Sequence, residues 1–324
     1  MIAVIFGGHG FIGCHLAREL ATSGKYSRVV SADIASSPRF RTAGVDYVYC
    51  DVTKCIPTDL APDVSEIYNL AAVHVTPGHQ DWEYYWTNVS GAICVTDYAR
   101  RANARTLFFT SSISVYGPSE AKKSEEAPLL PESHYGRSKV LAEQIHQTWQ
   151  TEQPSNRRLI IVRPAVIFGY GERGNFTRLA ALLARHLFIY PGRKDTIKAC
   201  GYVKDLVKSL MFAAEKTDRI TIYNFAYQDS FTTEKICAAF CELTDAAKPS
   251  LVFPLRIMLF IGSLFEHLNR LGIKTSINQA RIEKLYKSTN ISPKWLEQTH
   301  FVPQFDLKSA LNDWRAHSST GKFE

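Results

Sequence analysis

The chain opens with the stretch MIAVIFGGHGFIG, in which an apolar run meets a cluster of glycines. Ile2–Phe6 has the composition of a buried parallel strand, and a helical pattern follows the glycines. Glycine at positions Gly7, Gly10 and Gly13 allows a sharp turn, a close approach of a pyrophosphate to backbone N–H groups, and tight packing of helix on strand. This strand–loop–helix context predicts a dinucleotide-binding loop.

Apolar runs alternate with helical patterns through the first half of the chain. Strands are predicted at Ile2–Phe6, Arg28–Ala32, Val45–Tyr49, Glu66–Leu70, Thr106–Ser111 and Leu159–Val162, and helices at Val89–Ala102 and Tyr135–Thr148. The alternation predicts an α/β fold with a Rossmann-type doubly wound parallel sheet. It fades after Arg163. We therefore expect a Rossmann domain over residues 1–165, a strand near 221–225 that returns to it, and a smaller C-terminal substrate lobe over residues 166–324.

The positive net charge lies in the second half of the chain. Residues 166–324 carry 22 basic and 15 acidic residues, whereas residues 1–165 carry 16 of each. The basic stretch from Arg173 to Arg219 indicates either a solvated face or a site for a phosphate-bearing ligand. Nucleic-acid binding is not predicted, because no aromatic residues interleave with the basic ones as in known binding modules. The chain has seven cysteines, an odd number without CxxC spacing, and no signal-peptide pattern at its N-terminus. Both features favour a cytoplasmic protein. No metal site is predicted.

Asp33 ends the second predicted strand, 20 residues after Gly13. A carboxylate at that place accepts hydrogen bonds from an adenosine ribose and repels a 2′-phosphate, which favours NAD over NADP. Arg39 and Arg41 can offset this repulsion, and a turn cap is the alternative role for Asp33. NAD is therefore the predicted cofactor.

The stretch HYGRSK places Tyr135 four residues before Lys139, so the two side chains share one face of a predicted helix. A phenol with its usual pKa of about 10 is a poor base. A nearby ammonium and a positively charged nicotinamide both favour the phenolate. The same spacing is common on solvated helices, but together with the glycine loop it predicts a catalytic pair.

The stretch FFTSSISVYG supplies hydroxyls at the end of a predicted strand. Open α/β sheets bind ligands at this edge, so one hydroxyl can bridge a substrate oxygen and Tyr135. Ser112 and Ser114 are expected on the same side of an extended chain, facing a sugar. A plain loop start is the alternative.

These stretches together resemble the extended short-chain dehydrogenases/reductases of the NAD-dependent epimerase/dehydratase family. Besides those quoted, the resemblance includes CDVT (50–53), NLAA (69–72), TNVSG (87–91), RPAVIFG (163–169) and YVKDL (202–206), and it covers about two thirds of the chain. It implies a Rossmann domain with a small C-terminal lobe, and a homodimer formed through two helices of each subunit.

The resemblance also implies roles for individual residues. It makes Ser112, Tyr135 and Lys139 catalytic. The implied cofactor contacts are Gly7, Gly10, Phe11, Ile12, Gly13, Asp33, Asp51, Val52, Leu70, Ala71, Ala72, Asn88, Ser111, Tyr135 and Lys139. The candidate substrate contacts are His74, Ser114, Asn175, Arg193 and Lys198, with Arg173 as a further cation for a diphosphate.

Three activities are open within this resemblance. Dehydratases of the family carry Asp-Glu after the catalytic hydroxyl residue, but Ile113 and Ser114 follow Ser112 here, which argues against dehydration. An epimerase with retained NAD is favoured by Asp33 over a 4-keto-sugar reductase that uses NAD(P)H. Steroid-type hydroxy dehydrogenases, which share the Tyr/Lys motif, are the third alternative.

The C-terminal half is similar, more narrowly, to sugar 4-epimerases of surface-polysaccharide pathways, including those that act on undecaprenyl-diphosphate N-acetylglucosamine. We therefore predict inversion of C4 in a diphosphate-linked sugar. The apolar segment Phe253–Phe265 is expected to be either a buried helix or, for a lipid-linked substrate, a contact with the inner face of the cytoplasmic membrane beside Arg256. Lys198 stands where nucleotide-sugar epimerases usually have an arginine, so Arg193 or Arg173 would share the diphosphate.

Overall fold

The computed structural model describes residues 1–244, 246–270, 279–318 and 321–323. Its strands are β1 (Ile2–Phe6), β2 (Arg28–Asp33), β3 (Val45–Tyr49), β4 (Val64–Asn69), β5 (Thr106–Thr110), β6 (Ser119–Lys123), β7 (Arg158–Pro164), β8 (Val166–Phe168), β9 (Tyr190–Pro191), β10 (Cys200–Tyr202), β11 (Ile220–Phe225), β12 (Val252–Phe253) and β13 (Thr289–Ile291). Its helices are α1 (Phe11–Thr22), α2 (Asp81–Tyr85), α3 (Gly91–Arg101), α4 (His134–Thr151), α5 (Asn175–Ala184), α6 (Val203–Glu215), α7 (Thr233–Thr244), α8 (Leu255–Arg270), α9 (Gln279–Tyr286), α10 (Lys294–Gln298) and α11 (Leu307–His317).

Seven of these strands form one sheet in the order β11-β7-β5-β4-β1-β2-β3. All of its strand pairs are parallel. The chain runs outward in both directions from β1, so the loops after β1 and β4 leave the carboxyl edge on opposite sides and open a crevice between them. The predicted Rossmann-type doubly wound sheet is confirmed.

The strands are apolar on both faces because helices cover both faces. In β1, Val4 and Phe6 pack with residues of α3, such as Tyr98, while Ala3 and Ile5 point to the other face and its α1 and α6 side chains. This alternation with period two places every side chain of the strand in a core. The sheet is therefore a rigid support for the loops at its carboxyl edge.

Strand β11 pairs with β7 at the edge of the sheet, so a late part of the chain returns to it. Much of the remaining C-terminal half forms small two-stranded units, β8 with β10 and β9 with β12, with α5 and α7 packed together. Strand β6 from the first half pairs with β13 from the second. The division into lobes at residue 165 stays a prediction.

Helix α8 covers most of the apolar segment 253–265, from Leu255 onward, but the expectation of a buried helix is wrong. Ile257, Phe260, Ile261 and Leu264 of α8 are exposed, and Phe260 retains 72% of its accessible surface. A helix with one apolar face has the same periodicity whether that face meets a core or leaves the protein, so the sequence could not decide between them. None of the helices in the described ranges has the length and apolarity needed to cross a bilayer.

Candidate active site

The glycine loop lies between β1 and α1 and packs against the loop after β4. Gly7 has a φ of +75°, a left-handed conformation that glycine adopts without strain. A Cβ on Gly7 would lie 2.7 Å from the backbone N of Ala71, and one on Gly13 would lie 2.5 Å from the carbonyl O of Gly7. Both sites are thus closed to other residues unless the backbone moves.

Helix α1 begins directly behind this loop. Its N-cap, Gly10, provides no side-chain hydrogen bond to the helix. The N–H groups of the first turn, on Phe11, Ile12 and Gly13, have no carbonyl partner within the helix. These N–H groups and the helix dipole favour an anion, so the loop fits the pyrophosphate of NAD, which these backbone groups would hold.

Asp33 ends β2 and connects it to the glycine loop. One carboxylate oxygen accepts a hydrogen bond from the His9 N–H at 3.0 Å, and the other accepts one from the Ala35 N–H at 3.0 Å. Asp33 is therefore a turn cap, the alternative role that its position in the sequence allowed. Its oxygens keep lone pairs for a ribose hydroxyl, so the cap and the ribose contact are compatible.

The adenine-side candidates follow β3. The Asp51 carboxylate accepts hydrogen bonds from Thr53, from its N–H at 3.0 Å and its hydroxyl at 2.7 Å. These bonds, the hydroxyl first, lower the pKa of Asp51. Val52 is buried and packs against Gly91 at the start of α3. Both residues thus belong to a fixed turn at the carboxyl edge of the sheet.

The candidates Leu70, Ala71 and Ala72 follow β4, and Asn88 secures the loop that they begin. The Asn88 side chain accepts a hydrogen bond from the Val73 N–H at 2.9 Å and donates one to the Ser138 hydroxyl at 2.9 Å. This amide therefore ties the loop to α4. Its direct contact with the cofactor stays a prediction.

Tyr135 and Lys139 lie one turn apart on α4, as their spacing predicts. Burial raises the pKa of Tyr135 to about 12, against the effect of a side-chain hydrogen bond with Ser112. Lys139 is 2% exposed, and its ammonium lies 4.5 Å from the centroid of the Phe109 ring. Burial lowers the pKa of Lys139 to about 7, while the Glu143 carboxylate acts to raise it. Burial thus opposes the charged form of both groups, so neighbouring charges decide whether they ionise.

Ser112 begins a tight turn, so the expectation of an extended chain through Ser114 is wrong. The Ser112 hydroxyl accepts a hydrogen bond from the Ser114 N–H at 3.1 Å and donates one to the Ser114 hydroxyl at 3.2 Å. The turn brings the two hydroxyls together, although by a different geometry from the one expected. Because the Ser112 side chain also acts on the Tyr135 hydroxyl and lowers its pKa against the effect of burial, we describe the three hydroxyls as one relay.

A buried ion pair that sequence reasoning missed lies behind this relay. The Glu143 carboxylate accepts hydrogen bonds from Arg163 at 2.9 and 2.7 Å and from the Ser111 hydroxyl at 2.5 Å. Glu143 and Arg163 are 1% and 4% exposed. A signal was present in the sequence, since Glu143 falls four residues after Lys139 on the same helix face. The hydroxyl of Ser111, a candidate cofactor contact, thus donates its hydrogen bond to Glu143 of this pair.

Two of the predicted substrate cations lie at the C-terminal end of α9. The Lys198 ammonium donates hydrogen bonds to the backbone carbonyls of Lys284 at 2.6 Å and Lys287 at 2.5 Å. Arg193 forms an ion pair with Glu120 and donates a hydrogen bond to the backbone carbonyl of Tyr286 at 3.3 Å. Both side chains therefore support α9, and their contact with a diphosphate stays a prediction.

The other substrate candidates are dispersed. His74 and Asn175 are exposed, in the loop after β4 and at the start of α5, and Arg173 is exposed beside Asn175. The Glu172 carboxylate closes the N-terminus of α5 by accepting hydrogen bonds from Thr177, from its N–H at 2.9 Å and its hydroxyl at 2.7 Å. The N-terminus of α5 is therefore already occupied by the Glu172 carboxylate.

A second group of cations was not singled out from the sequence. Loss of solvent around the Lys284 ammonium lowers the pKa of that group, and the charges of Arg281 and Arg178 lower it further. The Lys284 ammonium also donates a hydrogen bond to the carbonyl of Thr76 at 3.4 Å, in the loop that carries His74. Like charges gathered beside the crevice make an environment in which a bound anion is favourable.

The parallel sheet, its phosphate-binding glycine loop and the hydroxyl relay at its carboxyl edge together define a dinucleotide-dependent enzyme. Residues 3–226 match the family model for the NAD dependent epimerase/dehydratase family. The chain belongs to this family, and NAD is its cofactor, as its sequence predicted.

Individual relatives share little more than a quarter of their aligned residues with this chain. The chain is 27% identical to the N-acetyl-alpha-D-glucosaminyl-diphospho-ditrans,octacis-undecaprenol 4-epimerase of Escherichia coli O157:H7, over 75% of this chain and 74% of that protein. It is also 27% identical to the Sterol demethylase protein B of Methylococcus capsulatus, over 83% of each. The solved structure of MoeE5 in complex with UDP-glucuronic acid and NAD has a TM-score of 0.76 at 22% identity and covers 97% of both chains. That structural likeness confirms the fold.

We expect NAD to bind at least about tenfold more tightly than NADP, because a 2′-phosphate would meet the Asp33 carboxylate. Titration calorimetry with both cofactors, on protein stripped of bound nucleotide, measures the ratio. Asp33→Asn can keep part of the turn cap but removes the charge. This variant should therefore lower the ratio of NAD affinity to NADP affinity. Equal or tighter binding of NADP by the unaltered protein would favour a reductase.

Proposed function

We propose that this protein is an NAD-dependent epimerase that inverts C4 of a sugar attached to a diphosphate carrier, through a transient 4-keto sugar. The observation that carries the proposal is the placement of Tyr135 and Lys139 one turn apart on α4, with the Ser112 side chain next to the buried Tyr135 hydroxyl. Membership of the epimerase/dehydratase family and the 4-epimerase relative support the same activity.

In the proposed reaction, Tyr135 as a phenolate takes the proton of the C4 hydroxyl, and Ser112 bridges the two oxygens. The Lys139 ammonium stabilises the phenolate, which burial alone would disfavour. Bound NAD supplies the hydride chemistry at C4 in both directions. The keto sugar then turns in the crevice, so that hydrogen returns to its opposite face and Tyr135 returns the proton to the oxygen.

A diphosphate anchor suits a sugar that must turn, because rotation about the phosphate linkages reorients the ring while the carrier stays held. Arg178, Arg281 and Lys284 are the leading cations for this anchor, since Lys284 binds the loop of Thr76 and the charges of both arginines act on Lys284. Arg193 and Lys198 lie at the C-terminal end of α9, the helix that carries Arg281 and Lys284. Asn175 and His74 remain proposed neighbours of the sugar.

The exposed face of α8 favours a lipid carrier over a nucleotide. Further exposed apolar side chains lie in and next to the β9–β12 pair, and the exposed members of what we call the lipid-facing patch are Leu187, Ile189, Leu251, Val252, Ile257, Phe260, Ile261 and Leu264. No acidic residue occurs between positions 251 and 265. Exposed apolar patches of this extent mark interaction sites, and α8 packs on α9, which carries Arg281 and Lys284. We therefore propose that the lipid-facing patch contacts the inner face of the cytoplasmic membrane.

A homodimer through α3 and α4 is also proposed. These neighbouring helices each expose a large apolar side chain, Ile93 at 53% and Leu141 at 41%. A second copy that packs against both would remove these side chains from water. The lipid-facing patch on α8 belongs to other elements, so the two contacts can coexist.

The substrate panel tests the proposed activity. Purified protein is incubated with UDP-glucose, UDP-N-acetylglucosamine or polyprenyl-diphosphate N-acetylglucosamine, without added reductant, and products are resolved by NMR. We expect the C4 epimer from at least one of them, with the lipid-linked sugar converted fastest. Tyr135→Phe should slow turnover on the order of 10²–10⁴-fold while NAD binding is kept.

The matched control for that variant is Tyr49→Phe, because Tyr49 is a tyrosine with 70% of its surface exposed. It should turn over like the unaltered protein. Conversion of none of the three sugars, together with NADPH-dependent reduction of a 4-keto sugar, would make the reductase the better assignment. Near-normal turnover by Tyr135→Phe would remove the proposed base.

The double variant Phe260→Ser/Leu264→Ser should bind vesicles of anionic phospholipid at least about tenfold more weakly, because both side chains lose apolar contact area with the lipid. Co-sedimentation with the vesicles measures this binding. Val302→Ser is the control, since Val302 is 79% exposed and lies outside the patch. Equal binding by the double variant, or no binding by the unaltered protein, would contradict the membrane contact.

A hydroxysteroid-type dehydrogenase is the second candidate, and one observation favours it. The sterol demethylase relative has the same identity to this chain as the epimerase relative and covers more of it. The exposed apolar face of α8 would then guide an apolar substrate. Oxidation of 3-hydroxysterols with added NAD, and no epimer from the sugar panel, would favour this assignment.

A further inference from the structure

Glu143 extends the line of catalytic candidates on α4. It lies one turn beyond Lys139 and two turns beyond Tyr135, but it is 1% exposed and therefore cannot reach a substrate in the crevice. An ionised carboxylate at such a depth is costly unless it is paired. Any role of Glu143 in the reaction must therefore act through the side chains that it contacts.

Arg163 on β7 supplies the pairing charge. Its guanidinium donates two hydrogen bonds to Glu143, at 2.9 and 2.7 Å, and a third to the Tyr116 hydroxyl at 2.7 Å. Although burial opposes its charge, the bonds to Glu143 raise the pKa of Arg163. The Tyr116 hydroxyl in turn donates to the Asn224 side chain on β11 at 2.9 Å. The Glu143 carboxylate is thus paired with a buried positive charge.

Ser111 joins the pair to the strand end that carries the catalytic hydroxyl. Its hydroxyl donates to Glu143 at 2.5 Å, and its backbone N–H donates to the Val162 carbonyl at 2.8 Å. The next residue is Ser112, whose side chain lies next to the Tyr135 hydroxyl. One carboxylate therefore links the end of β5 to the helix that carries the candidate base.

We propose that Glu143, paired with Arg163, is a positioning residue that keeps the Lys139 ammonium charged and keeps the end of β5 in register with α4. This inference rests on the role of Lys139 in the proposed epimerase. The charge link is direct, because Glu143 is the acidic neighbour that acts on Lys139 from one turn away. The register link is the hydrogen bond from Ser111.

Other charged and titratable groups lie around Lys139. They are Tyr135 and His146 on α4, His74 in the loop after β4, and Arg163 behind Glu143 on β7. None of these four carries a negative charge while Tyr135 is a phenol. Glu143 therefore supplies the negative charge that offsets the burial of the lysine.

The test reads the ionisation of Lys139 directly. Protein loaded with NAD and labelled with ¹³C-lysine is titrated by NMR, and Lys139→Arg assigns the resonance. Glu143→Gln keeps the shape of the side chain but removes its charge, so the midpoint of Lys139 should fall by about one pH unit or more. Ser111→Ala removes a hydrogen bond but no charge, so it should leave that midpoint in place.

Kinetics supply the second readout. Above the new midpoint, kcat of Glu143→Gln should fall on the order of tenfold or more with little change in KM, and Glu143→Asp should recover part of it. If Glu143→Gln does not fold, Glu143→Gln/Arg163→Gln removes both buried charges and should still lower the midpoint. An unchanged midpoint in a folded variant without Glu143 would overturn the inference. A shifted midpoint in a protein that epimerises no sugar would instead overturn the proposed function alone.

Discussion

The buried ion pair between Glu143 and Arg163 is the interaction on which the site depends. It joins α4 to β7, and the hydroxyl of Ser111 adds the end of β5. Removing one partner of such a pair costs on the order of 3–5 kcal/mol, because the other charge is left buried without compensation. The pair therefore has one favourable arrangement, and that arrangement fixes the three elements around the candidate catalytic side chains.

The positive charge of the C-terminal half has two physical uses. Lys198 and Arg193 hold the C-terminal end of α9, where backbone carbonyls and the helix dipole attract cations. That support places Lys284 beside the loop after β4, where the charges of Arg281 and Arg178 act on it. Lys198 and Arg193 thus position the cations that we propose for the diphosphate. Helix α8 packs on α9, so an exposed apolar surface lies next to these cations.

Local patterns in the sequence predicted the sheet and the central pair of the site. Strand β3 begins and ends where its apolar run predicts, and helix spacing alone placed Tyr135 on the same face as Lys139. The partners of Lys198 could not be predicted, because backbone carbonyls of a distant helix carry no sequence signal. The turn at Ser114 was missed because an extended strand end and a capped turn share the same serine-rich composition.

The central claim is that one buried site removes and returns the same hydrogen at C4 while its NAD stays bound. The most direct measurement uses a substrate deuterated at C4, incubated with protein that retains its own cofactor, without added NAD or reductant. We expect an epimer that carries the full deuterium content at C4 by mass spectrometry and NMR. Loss of the deuterium, or conversion only after NADPH is added, would contradict it.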